Sequence, residues 1–308
     1  MKYVLITPAH NEERFIPKTL ESMVAQTLLP ERWIIVNDGS TDKTADIAAD
    51  YAQRFPWIQV IHRSPRLDRH FGAKVHAFNA GLERVGSLDF DVIGNLDADI
   101  SFDRDYLEFL MKKFAEDPRL GVAGTPFTED GGYDTARDSF EGENHVAGGC
   151  QLFRRQCFDE VGGYVANPAG GIDWIAVTTA RMKGWETRSF PDKRFHHYRA
   201  LGTAGRNRAA ASFSYGEKDY YLGGSPLWQL VRVGYRATKQ PLDGIALLAG
   251  YCWAAARMKR SVSRELMRFH RKEQANKLKA ICRNLLKLKK VENVSLLTER
   301  RRVADRTE

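Results

Sequence analysis

No stretch of the 308 residues is apolar for long enough to cross a bilayer. The most apolar segment, Ile245 to Ala256, has 12 residues, whereas a spanning helix needs about 20. The N-terminal apolar stretch is shorter still and is broken by Pro8, so it does not read as a signal peptide. These absences predict a cytoplasmic chain. Cysteine is scarce: Cys150, Cys157, Cys252 and Cys282 are scattered and form no CxxC pair, as expected of ordinary reduced thiols. Neither GxGxxG nor a P-loop occurs, which argues against a nicotinamide enzyme or an NTPase. Internal repeats and low-complexity tracts are absent too. With 43% hydrophobic and 28% charged residues, the chain has enough apolar side chains for one large domain or two lobes.

The net charge of +8 is concentrated at one end. From Arg257 to Lys290 there are 13 lysines and arginines against Glu265 and Glu273, so the remainder is slightly acidic. Phe269 is the one aromatic in that segment, whereas a nucleic-acid surface interleaves aromatics with basic residues; no nucleic-acid partner is expected. Leu266, Phe269, Leu278, Ile281, Leu285 and Leu286 recur there at roughly helical spacing. An amphipathic basic helix of this kind suits an anionic membrane surface, as a peripheral attachment to the inner face of the cell membrane, and the apolar Ile245–Ala256 run is expected to dip into the same interface. A solvated helix packed on the rest of the chain is the other reading.

The first 125 residues alternate apolar runs with helical patterns. Strands are expected at Tyr3–Thr7, Trp33–Val36, Ile58–Ile61, Asp91–Leu96 and Leu120–Ala123. Helices are expected at Glu13–Gln26, Asp42–Ala52 and Ala73–Val85, and along the stripe Tyr106, Leu107, Leu110, Met111, Phe114. This alternation predicts an α/β fold with a mostly parallel sheet, whose ligands bind beyond the carboxyl ends of the strands. From 125 to 240 the chain is less regular and rich in Gly-Gly pairs, as expected of ligand-binding loops and a short mixed sheet. The expected divisions are 1–99, 100–240 and, over 241–308, a basic amphipathic helical extension.

Three clusters sit at predicted strand ends. In Asn95-Leu96-Asp97-Ala98-Asp99, alternate residues point the same way, so two carboxylates crowd one edge. Carboxylates that close repel unless a cation lies between them, and Mg²⁺ or Mn²⁺ suits such a site; a solvated loop is the alternative. Asn37-Asp38-Gly39-Ser40-Thr41-Asp42 reads as a tight turn capping the next helix, and also as a way to hold Asp38 toward a base or ribose. Thr7-Pro8-Ala9-His10-Asn11-Glu12 follows the first strand.

In this order and spacing, the clusters resemble the family 2 inverting glycosyltransferases of the GT-A fold, of the bacterial cell-surface polysaccharide type. The resemblance continues through Gly72, Lys74, Ala77, Asn79, Gly81 and Leu82, then Leu152-Phe153-Arg154-Arg155 and Val161-Gly162-Gly163-Tyr164. It covers roughly residues 3 to 200, and it implies that 1–99 form the nucleotide-sugar-binding half of the domain and 100–240 the acceptor-binding and catalytic half, with the Gly-rich loops on the acceptor. It implies a Rossmann-like, mostly parallel sheet flanked by helices, here with a C-terminal helical, membrane-associating extension. It also implies transfer of sugar from a nucleoside-diphosphate donor to a saccharide or lipid-linked acceptor in cell-envelope glycan synthesis.

Residue by residue, the resemblance places Pro8, His10, Glu12, Val36, Asp38, Lys74, Asp97 and Ala98 against the nucleotide sugar. It puts Asp99 on a divalent metal, Mn²⁺ or Mg²⁺, with His197 completing the shell. Asp173, ahead of Gly184-Trp185, takes the position of the catalytic base; Ile172 replaces the acid that usually precedes it. A core or surface role remains open for His197, and a helix cap for Asp173. A degenerate donor-binding protein is one alternative. A sugar nucleotidyltransferase is another, but it lacks its Gly-rich loop after the first strand.

Overall fold

The computed structural model describes residues 1–64, 72–130, 132, 134–138, 142–167, 170–199 and 208–286. The chain forms two compact units. The first comprises Met1–Ser139 with Glu143–Ala200, and the second Phe140–Gly142 with Leu201–Glu308.

In the first unit the apolar runs become strands β1 (Tyr3–Ala9), β2 (Arg32–Asp38), β3 (Ile58–Arg63) and β4 (Val92–Leu96). Between them lie α1 (Ile16–Val24), α2 (Thr44–Arg54) and α3 (Gly72–Val85). Then follow β5 (Ile100–Phe102), α4 (Tyr106–Glu116), β6 (Leu120–Gly124), β7 (Phe127–Glu129) and α5 (Thr135–Asp138). The unit closes with β8 (Cys150–Arg154), α6 (Arg155–Val161), α7 (Ile172–Met182), β9 (Glu186–Ser189) and β10 (Phe195–His197).

Seven strands form one sheet in the order β3-β2-β1-β4-β8-β6-β9, parallel except where β8 runs against β4 and β6. Period-2 alternation explains its two covered faces. Tyr3, Leu5, Trp33 and Ile35 pack under α1, α2 and α4; Val4, Ile6, Ile34 and Val36 pack under α3, α6 and α7. The chain runs outward from β1 through β2 to β3, then returns to place β4 on β1's other side. The switch point where α/β sheets bind ligands therefore lies between β1 and β4.

The expected short mixed sheet is β5-β10-β7, with β10 antiparallel to β5 and parallel to β7. Thr19 of α1 ties it down: its hydroxyl donates to the Ile100 carbonyl at 2.7 Å and accepts from the Ile100 amide at 3.1 Å. The helix expected from Glu13 starts later, at Ile16. Asn11 is left-handed (φ 56°) and the Phe15 amide turns back to the Glu12 carbonyl, so the chain bends before Pro17 opens the helix.

The second unit contains α8 (Arg208–Tyr221), α9 (Pro226–Lys239), α10 (Pro241–Arg257) and α11 (Arg264–Leu286). α8 and α10 pack through glycines: a Cβ on Gly216 would strike the Leu247 carbonyl, and one on Gly250 the Phe213 carbonyl. No helix among the described residues is long and apolar enough to cross a membrane. Lys287–Lys290 and the side chains of Leu285 and Leu286 lie outside the described residues.

Candidate active site

The carboxyl ends of β1, β2 and β4 gather the polar clusters. Two loops are sewn together first. The Asn11 amide donates to Ser40 Oγ at 3.1 Å, the Glu12 amide to Thr44 Oγ1 at 2.7 Å, and the Glu13 amide to Asp42 Oδ2 at 3.0 Å. Asp42 also accepts from the Thr44 amide at 3.0 Å, an Asx turn just ahead of α2; the N-cap itself is Lys43 rather than the expected Asp42 or Thr41, and it makes no side-chain cap. Burial is the largest single influence and pushes the Asp42 carboxyl up, but the hydrogen bonds from the Thr44 hydroxyl and the Glu13 and Thr44 amides together outweigh it and hold the group below its ordinary value. His10 contacts the Asp38 carbonyl at 2.8 Å through Nδ1. Pro8 is half-buried on β1, opposite Val36.

Asp97 follows β4. Its amide donates to the Gly149 carbonyl at 2.8 Å. Its Oδ1 accepts from Lys74 Nζ at 2.5 Å and Asn95 Nδ2 at 3.1 Å. Burial alone would lower the Lys74 ammonium; Asp97, with Asp173 and Asp99 further off, more than reverses this. Asp99 is buried, with His197 Nε2 3.5 Å from Oδ1 and Arg199 Nε 3.7 Å from Oδ2. Burial, then the charge of Asp97, pushes its carboxyl up; His197 and Arg199 oppose the shift. Arg199 also reaches Glu12 at 2.5 Å. Even so, burial and Asp99 push Glu12 up to about 7.

Ligand atoms of Asp97, Asp99 and His197 lie within 4.8 Å of one another. His197 is buried on β10. Its Nδ1 has no hydrogen-bond partner and faces Glu129 at 3.9 Å. A proton on Nδ1 toward that carboxylate leaves the Nε2 lone pair beside Asp99. Two carboxylate oxygens and an imidazole nitrogen are a donor set for a divalent ion. Charge agrees: even without Glu12, the acids Asp97, Asp99 and Asp173 outnumber Lys74 and Arg199 here. His196, one residue away, points oppositely, to Asp130 at 2.9 Å.

Asp173 approaches from α7. Gly170 and Gly171 are both left-handed (φ 86° and 75°), which turns the chain into the helix with Asp173 in its first turn. The adjacent glycines Gly148 and Gly149 lie against Asp173 and Asp97 respectively. A Cβ on Gly148 would sit 2.9 Å from Asp173 Oδ2, and one on Gly149 would sit 3.8 Å from Asp97 Oδ2. Ile172, half-buried at the first position of α7, packs against the edge of the core.

The residues read from sequence are not equally placed to touch a ligand. Val36 and Ala98 are buried in the core and offer a ligand little or no side-chain surface. Asp38 pairs with Arg63 Nη1 at 2.5 Å. Arg63, Arg199 and Glu129 were missed by sequence reasoning. Arg63 ends β3 just as Asp38 ends β2, so strand-end position was an available signal for it. Arg199 and Glu129 became visible only once β10 paired with β7.

The model of Glycosyl transferase family 2 matches residues 4–162, more than half of the sequence. The chain belongs to this family. The uncharacterized glycosyltransferase EpsJ of Bacillus subtilis is 33% identical over 127 residues, covering 40% of this chain and 33% of that protein. The poly-beta-1,6-N-acetyl-D-glucosamine synthase of Staphylococcus aureus is 31% identical over 118 residues, covering 38% and 26%. The matched stretch thus spans a third or less of the length of these curated relatives. Solved structures share the fold at low identity. The mannosyltransferase PcManGT of Pyrobaculum calidifontis, in complex with GDP-Man and Mn²⁺, has a TM-score of 0.57 at 19% identity, covering 90% of this chain and 80% of that one. S. aureus TarS 1–349 with UDP-GlcNAc has a TM-score of 0.55 at 14% identity, covering 99% and 92%. The GT-A fold expected from the sequence is therefore shown for this family 2 member.

Proposed function

We propose that this chain transfers a glycosyl group from a nucleoside-diphosphate sugar to a saccharide hydroxyl, with inversion at the anomeric carbon. The observation that carries this reading is the meeting of Asp97, Asp99 and His197 from two different sheets, with Asp173 beside the Gly148-Gly149 pair. Support comes also from family membership and from the nucleotide sugars bound by PcManGT and TarS.

Asp99, with Asp97 and His197, would hold Mn²⁺ or Mg²⁺. When bound, that ion supplies Lewis-acid neutralisation of the charge on the departing diphosphate. Pro8, His10, Glu12 and Asp38 border the nucleoside side, and the Asp38–Arg63 pair offers both a carboxylate and a guanidinium to a base. Lys74 stands on Asp97 as a further cation toward the diphosphate. Asp173 accepts the proton of the acceptor hydroxyl as its oxygen forms the new C–O bond. The bond from the anomeric carbon to the diphosphate oxygen breaks on the opposite face. A glycosidase differs in flanking one bond with paired carboxylates and needing no ion.

The acceptor in this reading is a lipid-linked saccharide of envelope glycan synthesis, met at the cytoplasmic face of a membrane. A catalytically degenerate reading would lean on Ile172. That residue's apolar packing gives it a structural task instead. Asp173→Asn tests the base directly: turnover should fall by about 10²- to 10⁴-fold while donor binding persists. Turnover near wild type removes Asp173 from the role.

A further inference from the structure

The helical unit keeps a continuous row of apolar side chains in solvent. Between Asp243 and Arg257, α10 has no charged residue. Leu242, Ile245, Ala249, Cys252 and Ala256 recur every three or four residues on its outer side, all exposed, with Trp253 beside them. Leu242 is 76% exposed and Ile245 65%. On α9, Leu227 (62%) and Leu230 (56%) are followed by Gly234 and Thr238 on the same outer side. A solvent-facing helix surface is normally polar, and single exposed apolar residues need no explanation, but a stripe along two successive helices does. α10's inner side is already taken, closed onto α8 at Gly216 and Gly250.

The basic helix does not provide this surface. Leu266 of α11 is buried, and Gln274 of the same helix accepts from the Ser225 amide at 2.8 Å. The side of α11 that carries these residues is thus turned onto its own unit.

Charge identifies the occupant. Residues 208–286 carry 15 lysines and arginines against 5 acids. Arg236 and Lys239 precede the α10 stripe, and Arg257, Lys259 and Arg260 follow it. Arg257 lies 5.8 Å over the Trp253 ring, an aromatic–cation pair suited to a headgroup layer. A second copy of so cationic a surface would be repelled, whereas anionic headgroups complement it.

We propose that the outer faces of α9 and α10 seat this chain on an anionic lipid bilayer, with Leu227, Leu230, Leu242, Ile245 and Trp253 in the interface. The inference rests on the reading of a membrane-borne acceptor; of the two segments expected at the interface it keeps the Ile245–Ala256 run, adds the outer face of α9, and takes the apolar side of α11 out of the contact.

The test uses the full chain and vesicles of phosphatidylethanolamine with phosphatidylglycerol, beside vesicles of phosphatidylcholine alone. Wild type should sediment with the anionic vesicles, less so as salt rises. Leu242→Asp with Ile245→Asp should lower partitioning at least about tenfold, with donor binding and transfer to a soluble saccharide unchanged. If the double variant sediments like wild type, this face is wrong while the membrane reading stands. If wild type ignores anionic vesicles, both fall. If it is instead a dimer that the same substitutions split, the occupant is a second copy and the proposal is overturned. Loss of soluble transfer in wild type would strike the proposed reaction alone.

Discussion

Glu12 holds its proton far above the usual range, at about 7 against an ordinary 4.5, because burial and the nearby Asp99 outweigh Arg199. The folded chain therefore binds this proton more tightly than the unfolded one. Raising the pH from about 4.5 to 7 costs stability through this group. Glu12→Gln removes that cost, so its melting temperature should gain on wild type between roughly pH 5 and pH 8; a constant difference would contradict the assignment. Gly148 gives a second prediction at this scale. An added methyl presses on Asp173 from 2.9 Å, so Gly148→Ala should slow transfer by roughly 10- to 100-fold while donor affinity is kept. Unchanged turnover would show that Asp173 tolerates displacement. The strand-end carboxylates Asp38, Asp97 and Asp99 were legible in the sequence, because alternation and strand position fix where such residues stand. Arg63 carried the same strand-end signal and was passed over, whereas Arg199 was not legible, because its role comes from side-chain pairing with Glu12 across separate loops.

Among the elements, the parallel part of the sheet follows from the sequence because its strands are apolar on both faces and each is followed by a helix of the right period. The sheet β5-β10-β7 has strands of three residues, too short for a periodic signal, and only the family resemblance drew attention to His197. α3 shows why a small residue stands where it does. Gly81 lies against β1 and β2, and a Cβ there would meet Ile6 Cγ2 at 2.5 Å and Val36 Cγ2 at 3.1 Å. Both side chains are fully buried and branched, with nowhere to turn. Gly81→Ala should therefore destabilise by about 1–3 kcal/mol by denaturant titration, despite alanine's helix preference of about 1 kcal/mol. A neutral or stabilising result would mean that α3 moves away from the sheet at little cost.

On the scale of the whole molecule, the proposed chemistry and the proposed membrane attachment fall in different units. The first gathers acidic side chains at the switch point of its sheet; the second is cationic and apolar. The net charge of +8 conceals this division. The sequence revealed the basic segment but not which helix faces outward, since that depends on the burial of α11 within its own unit.

The most direct test of the central claim, an ion-assisted transferase site, is calorimetric binding of nucleoside-diphosphate sugars with and without Mn²⁺, in wild type and in Asp99→Ala. Wild type should bind its donor markedly more tightly with the ion, and the variant should lose that gain while remaining folded. Donor affinity in wild type that ignores the ion, or a gain that survives in the variant, would contradict the account.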